Sequence, residues 1–352
     1  MMIASCRSVA TSALLTFMVA FVSRGSLADA PPTPEKPWHA LHVINYGDDE
    51  SLARLEGQLS RLAELGVNCL IVEVNYGFEY DSYPELRAGG RQITKSGAAR
   101  FAAVCREYGI EPVPQFQCFG HQSWEKNTFP LLTKFPEFDL TPGAFPNNEG
   151  IYCREWDPTN PRVSKIVFAL IDELIDAFDA KAFHVGMDEV FLLSNEHATS
   201  TKDVDPADIF AGVVNDLHSH LVSRRNVVML MWADRLIDGD EFNMGEWEAS
   251  KVGTAAAIDR IPKDIVLCPW HYEPRAAYES LPMMMQKGFH ILPASWKNVE
   301  ASNALIRYAQ EHQQNGRLVG HIFTTWSVRT DDLAQWEPLV QGLQLLEPKG
   351  QP

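Results

Sequence analysis

The chain reads as a single (β/α)8 TIM barrel. Three observations carry that expectation. Short apolar runs alternate with helix-period stretches without a break from residue 39 to residue 346, and there are eight of each. The runs are rich in β-branched and aromatic residues and nearly continuous in apolar character, as strands buried on both faces should be. The first loop, YGDDES (46–51), holds one glycine. A doubly wound open sheet would need a glycine-rich phosphate loop at that place.

The elements follow in order. HALHVINY (39–46) is the first strand. SLARLEGQLSRLAELG (51–66) puts Leu52, Leu55, Leu59, Leu62 and Leu65 on one helical face, with Gly66 as the stop. NCLIVEVN (68–75) is the second strand, and SGAARFAAVCREYG (96–109) is a helix that again ends on glycine. EPVPQFQCF (111–119) is the third strand. Its connection, 119–159, is unusually long and carries Trp124, Trp156, Gly143 and several prolines; long loops on a compact scaffold are usually functional. NPRVSKIVFALIDELIDAF (160–178) opens with Asn160 as cap and Pro161 as first helical residue. The fourth strand is AFHVGMDE (182–189), followed by the helix PADIFAGVVNDLHSHLVSRR (206–225). VVMLMWAD (227–234) is the fifth, with a weaker helical stretch near 251–261. DIVLCPWHY (264–272), FHILPASW (289–296) and LVGHIFTTW (318–326) complete the strands. Their helices are RAAYESLPMMMQKG (275–288), VEASNALIRYAQEHQQNG (299–316) and DDLAQWEPLVQGLQLL (331–346).

The 352 residues hold one large α/β domain, assigned to 39–348, and nothing within it resembles a linker. Residues 1–28 are expected to be a signal peptide: Arg7 supplies a basic start, VATSALLTFMVAFV (9–22) an apolar stretch too short for a comfortable membrane span, and Ser26-Leu27-Ala28 a cleavage site. Residues 29–38 would be a short linker. The expected location is secreted or periplasmic, with no stable membrane span. The exported chain keeps Cys69, Cys105, Cys118, Cys153 and Cys268; an odd number gives no full disulfide framework, although Cys118 and Cys153 flank one loop and could bridge. No spacing resembles a zinc site, and no cofactor is expected. The net charge of −16 argues against nucleic acid, because phosphate binding needs clustered Lys and Arg.

In a barrel of this kind the site lies at the C-terminal ends of the strands. The first ends in Asn45 and Tyr46, the second in Glu73, Asn75 and Tyr76, and the third runs into Gly120 and His121. The fourth ends in adjacent acids, Asp188 and Glu189, flanked by apolar residues. The fifth ends in Trp232 and Asp234, the sixth in Trp270, His271 and Tyr272, the seventh in Trp296 and the eighth in Trp326. Four successive strands thus finish in a tryptophan, of nine in the chain. Indole faces pack on the C–H faces of sugar rings and exclude water, so a carbohydrate is the expected partner. The acids then suggest glycoside hydrolysis. Two adjacent carboxylates cannot both flank a scissile bond in the usual way, so their roles must differ.

These residues resemble glycoside hydrolase family 20, the β-N-acetylhexosaminidases. The family's His-x-Gly-Gly-Asp-Glu run at the fourth strand reads His184-Val185-Gly186-Met187-Asp188-Glu189. Its Pro-Gly-His run after the third strand reads Phe119-Gly120-His121. SYPELRAGG (82–90) resembles the segment after its second strand, and Trp232, Trp270 and Trp326 match aromatic positions of its sugar pocket. The resemblance implies that the substrate's N-acetyl oxygen attacks the anomeric carbon. Asp188 then orients the acetamido group, and Glu189 acts as general acid and base. His121 and His184 support the pair, and Asp234 and Trp296 join the substrate-binding set. Departures are also visible. Met187 replaces the second glycine, Asn45 stands where the family ends its first strand with arginine, Trp296-Lys297-Asn298 replaces a Tyr-x-Asp pattern, and Val328 occupies a glutamate position. Two alternatives stay open: a retaining glycosidase pairing Glu189 with Glu73 or Asp234 on a sugar without an acetamido group, and a carbohydrate-binding barrel without catalysis.

Overall fold

The computed structural model describes residues 36–326 and 332–346. The expected signal peptide, most of the expected linker, and Val328 and Arg329 lie outside the described residues.

The chain runs β1 (Trp38–Val43), α1 (Asp49–Glu56), α2 (Leu59–Glu64), β2 (Cys69–Glu73), α3 (Lys95–Glu107) and β3 (Glu111–Cys118). The third connection then makes a small hairpin, β4 (Ser123–Trp124) and β5 (Asn127–Thr128), and a short helix, α4 (Pro130–Lys134). After it come α5 (Pro161–Phe178), β6 (Ala182–Gly186), α6 (Pro206–His218), β7 (Val228–Trp232), β8 (Val266–Cys268) and α7 (Ser280–Gln286). The last elements are β9 (His290–Ile291), β10 (Ala294–Ser295), α8 (Val299–Glu311), β11 (Gly320–Thr324) and α9 (Glu337–Leu346).

The large sheet is parallel, in the order β10-β11-β1-β2-β3-β6-β7-β8-β9. Its two ends, β9 and β10, are halves of one extended run broken at Pro293, which has no N–H to give to a ladder. Around the break, Leu292 N–H bonds to Leu267 C=O on one side and Pro293 C=O accepts from Ile322 N–H on the other. The order is therefore circular, and the sheet is an eight-stranded TIM barrel.

Alternation along the strands produces two cores. Ala40, Ile71, Val113, Ala182, Leu230, Val266 and Ile322 fill the barrel. Leu41, Leu70, Phe183, Val185, Met229 and Phe323 pack outward against the helices. Asp48, Asn160, Asp205 and Asn298 cap α1, α5, α6 and α8 by accepting backbone N–H bonds in the first turn.

Several expected elements are shorter. The leucine helix breaks after α1 at Gly57, and α2 resumes the same apolar face. The stretch near 251–261 forms only a 3-10 turn, Ala255–Asp259, and α7 spans only Ser280–Gln286. The fourth strand stops at Gly186, three residues before Glu189. Cys118 and Cys153 are both free and buried, so the bridge between them is not formed. No described helix is long and apolar enough to cross a membrane.

Candidate active site

The geometry starts where β6 ends. Gly186, Met187 and Glu189 have φ of +68°, +78° and +53°. This left-handed path ends the in-and-out alternation and lets adjacent residues present their carboxylates to one place. Asp188 Oδ2 lies 3.4 Å and Glu189 Oε2 2.9 Å from the same atom, His121 Nε2. Met187 is fully buried in the outer core, so the side chain replacing a glycine stays clear of the acids.

Two glycines make room for the arrangement. A Cβ on Gly186 would lie 2.0 Å from Gln117 Oε1, and one on Gly120 would lie 2.7 Å from Asp188 C=O. Gln117 uses the space to donate from Nε2 to Asp188 Oδ1. Its backbone N–H goes to Asn75 Oδ1 at 2.7 Å. Gln115 Nε2 donates to Glu73 Oε2 at 3.0 Å and to Gln117 Oε1 at 3.3 Å. A chain of side-chain amides thus joins the second strand to the fourth.

The charges are tuned by this crowding. Burial alone would raise the Asp188 pKa, but His121 and the Gln117 donor outweigh it and hold the carboxyl below its ordinary value. Burial also works against a cationic His121; Cys153, Asp188 and Glu189 reverse it, and the imidazole pKa stands well above normal. Glu73 behaves oppositely: burial, then the Asp188 charge, push it up to about 7. Burial drops His184 well below its usual value, and drops His42, on the neighbouring interior face, to about 4.

Asp234 is fully buried. Its Oδ2 accepts the Glu189 N–H at 2.9 Å and sits 2.6 Å from Arg235 Nε. Burial raises its pKa to about 6 against the pull of Arg235. This residue anchors the backbone of Glu189, a role its place at the strand end did not reveal.

The aromatic rim forms on the sixth to eighth strands. Trp270 stacks on Tyr272 at 4.8 Å, Tyr272 meets Trp296 edge-on at 5.5 Å, and Trp326 Nε1 donates to the Tyr272 hydroxyl at 2.6 Å. Trp232 is different: it has no exposed surface and packs between His42, His184 and Trp326 as the floor beneath the rim. Buried polar atoms around this interior without a hydrogen-bonding partner among the described residues include both His42 ring nitrogens, Gln115 Oε1, His184 Nε2, Trp232 Nε1, Asp234 Oδ1, Trp296 Nε1 and Thr324 Oγ1. Such a concentration is typical of a polar ligand pocket.

The sequence-predicted set is thus divided. His121, Asp188 and Glu189 meet directly. Trp270, Trp296 and Trp326 join through Tyr272, while His184, Trp232 and Asp234 lie beneath. Sequence reasoning missed Gln115, Gln117 and His42 as site residues. Their signal was present as polar residues at alternate positions of otherwise apolar strands, PQFQ (114–117) and ALHV (40–43). Glu73 entered only as an alternative nucleophile. His121, Asp188 and Glu189 also have atoms close enough together to share a metal ion.

The catalytic-domain model of glycosyl hydrolase family 20 matches residues 72–340. The chain belongs to glycosyl hydrolase family 20. A lacto-N-biosidase of Bifidobacterium bifidum is 23% identical over 248 residues, 67% of this chain and 19% of that protein. A beta-hexosaminidase of Emericella nidulans is 22% identical over 295 residues, 74% of this chain and 43% of that one. This family 20 chain therefore spans less than half the length of either relative. Its fold is similar to that of a chitobiase of Flavobacterium johnsoniae, with a TM-score of 0.62 at 18% identity, covering 89% of this chain and 48% of that chain.

Proposed function

We propose that this family 20 barrel hydrolyses terminal β-linked N-acetylhexosamine residues with retention, using the substrate's own acetamido oxygen as nucleophile. The observation that carries the reading is the convergence of Asp188 and Glu189 on His121 Nε2, with unequal surroundings. Asp188 is held ionised by Gln117 and His121. It suits a group that orients an acetamide N–H and balances the positive charge of an oxazolinium. Glu189 accepts no side-chain hydrogen bond from a neutral donor among the described residues, and its side chain is 12% exposed at the mouth. It suits the group that gives a proton to the leaving oxygen, then takes one from the water that opens the intermediate. The proposed exported location adds a site where such glycans are met, and amino-terminal sequencing of the secreted protein should begin at Asp29.

The alternative nucleophiles fit less well. Glu73 is bound by Gln115 and Asn75 and titrates near neutrality, and Asp234 is fully buried against Arg235. Both Glu73 oxygens are already hydrogen-bonded, and Asp234 is fully buried with Oδ2 committed to Arg235 and the Glu189 N–H, so neither presents an exposed oxygen for a retaining attack.

The test is a panel of glycosides with and without a 2-acetamido group, run on wild type and Glu189→Gln. Turnover should be confined to the acetamido sugars and fall at least about 10²-fold in the variant, as expected for loss of a general acid. A thiazoline mimic of the intermediate should inhibit. Equal turnover of sugars lacking the acetamido group would overturn participation by the substrate.

A further inference from the structure

The described surface exposes only a few large hydrophobic side chains, and three of them form one cluster beside the acids. Trp124, Tyr152 and Trp247 are 46%, 36% and 45% exposed. Trp124 meets Tyr152 edge-on at 5.3 Å, and Tyr152 meets Trp247 edge-on at 4.7 Å, with Phe191 filling the angle behind at 5.5 Å from Trp247. Trp124 and Tyr152 come from the connection after the third strand, Phe191 from that after the fourth and Trp247 from that after the fifth, so the cluster is assembled by the fold and is not a single greasy loop.

The cluster is continuous with the catalytic centre. His121 stacks on Trp124 at 6.0 Å and meets Tyr152 at 5.7 Å, while its Nε2 contacts Glu189. Next to Tyr152, Cys153 Sγ points at the Glu189 carbonyl at 3.4 Å. One imidazole ring therefore separates the aromatic surface from the proposed proton donor.

Buried cations fix the cluster in place. Arg235 is fully buried. It donates to the carbonyls of Trp247 and Ala249 at 2.8 and 3.0 Å, and pairs with the same Asp234 that holds the Glu189 N–H. Its guanidinium also lies 4.8 Å over the Phe191 ring. Arg154, almost fully buried, ties the Tyr152 segment to Asn148 Oδ1 at 2.6 Å and to the carbonyls of Ala144 and Phe145 at 2.9 and 2.6 Å. Exposed aromatics held this firmly give up little conformational freedom on binding.

We propose that Trp124, Tyr152 and Trp247 form the ledge on which the leaving-group sugar stacks, so that the enzyme selects oligosaccharides over glycosides with small leaving groups. The proposal rests on the hydrolase reading above and adds the occupant on the far side of the scissile bond. Leaving groups depart toward the residue that protonates them. Glu189 Oε2 lies 2.9 Å from the Nε2 of His121, the ring that stacks on Trp124, whereas Asp188 Oδ2 lies at 3.4 Å and its other oxygen accepts from Gln117. A pyranose ring offers C–H faces to indole and needs no charged partner, and no Lys or Arg among the described residues lies over the three exposed rings at cation–π distance.

The experiment compares two substrates with the same terminal sugar: a β-linked N-acetylglucosamine trisaccharide and β-N-acetylglucosaminyl fluoride. The ratio of their kcat/KM values should fall about tenfold in Trp247→Ala, chiefly through a raised KM for the trisaccharide, as for loss of one well-packed tryptophan contact. Trp247→Phe should restore most of it, and Trp124→Ala should shift the ratio in the same direction. Among the described residues the ring contacts of Trp247 are with Tyr152 and Phe191, not with His121, and thermal midpoints will show whether the variants are folded. An unmoved ratio, or equal losses on both substrates, overturns the ledge while leaving the hydrolase reading intact. If wild type turns over neither substrate, that reading fails and the ledge fails with it.

Discussion

Asp188 and Glu189 differ by one position in the chain and by everything around them. Asp188 receives an amide donor from Gln117 and the field of His121, whereas Glu189 meets only the imidazole and is fixed through its backbone N–H. The division of labour therefore depends on Gln117 as much as on the acids. Gln117→Leu removes a hydrogen bond to a charged group, a change of about 1.5–3 kcal/mol, and kcat should fall roughly 10- to 150-fold. The sign of the pH effect follows. Asp188 must be ionised, and its pKa is held low partly by this donor, so losing the donor raises it. The acid limb of the pH–rate profile should move to higher pH. A rate loss with an unmoved acid limb would place Gln117 in a purely structural role. The acids were legible in the sequence because two carboxylates at the end of a buried strand are costly unless something uses their charge. Gln117 was less so, because a glutamine on a strand carries no chemistry until its partner is known.

The fourth strand and the turn after it form the element on which the site depends. Period-2 patterning placed the strand correctly but carried it to Glu189, since nothing in apolar periodicity marks where φ turns positive. Gly186 was the available signal, and its meaning comes from packing: the Cβ it lacks would occupy the position of the Gln117 amide. Gly186→Ala should cost about 1–3 kcal/mol for a strained left-handed residue and its close contact. It should also lower kcat in proportion to the displacement of Gln117. Gly212 gives the contrast. It lies in α6 with nothing within 4 Å of its missing Cβ and ordinary helical φ. Gly212→Ala should therefore stabilise by about 0.5–1 kcal/mol with unchanged kinetics. Thermal midpoints and kcat measured side by side on the two variants separate a glycine required by the site from one that is merely tolerated.

Across the whole molecule, the barrel was legible because eight strands buried on both faces leave an apolar pattern that nothing else in the chain imitates. The helices were less so: Gly57, Pro282 and the loop-rich fifth and sixth connections shorten them, and packing on the barrel makes up for weak local propensity. What the pattern hid is how many titratable groups the barrel buries, and these set its response to pH. Glu155 is fully buried under the Glu189 turn and accepts the N–H groups of Phe191 and Leu192 at 2.6 and 2.8 Å. Burial, against those donors and Arg235, raises its pKa from 4.5 to about 7. Its folded-state pKa exceeds the unfolded one, so its contribution to stability is complete below pH 4.5 and is lost as pH rises through 7. Glu155→Gln keeps an acceptor for both N–H groups and cannot ionise. The difference in stability, variant minus wild type, should therefore grow between about pH 5 and 8, with a slope of at most about 1.4 kcal/mol per pH unit for one proton. His321 runs the other way. It is buried beside Ser295, and burial lowers its pKa from 6.5 to about 3. The unfolded chain takes up a proton there below pH 6.5 while the folded one does not, so His321 destabilises as pH falls. His321→Asn minus wild type should grow as pH drops from about 7 to about 4. Chemical denaturation at a series of pH values measures both slopes. Slopes of the same sign for the two variants would show that at least one of the groups does not titrate as its burial requires.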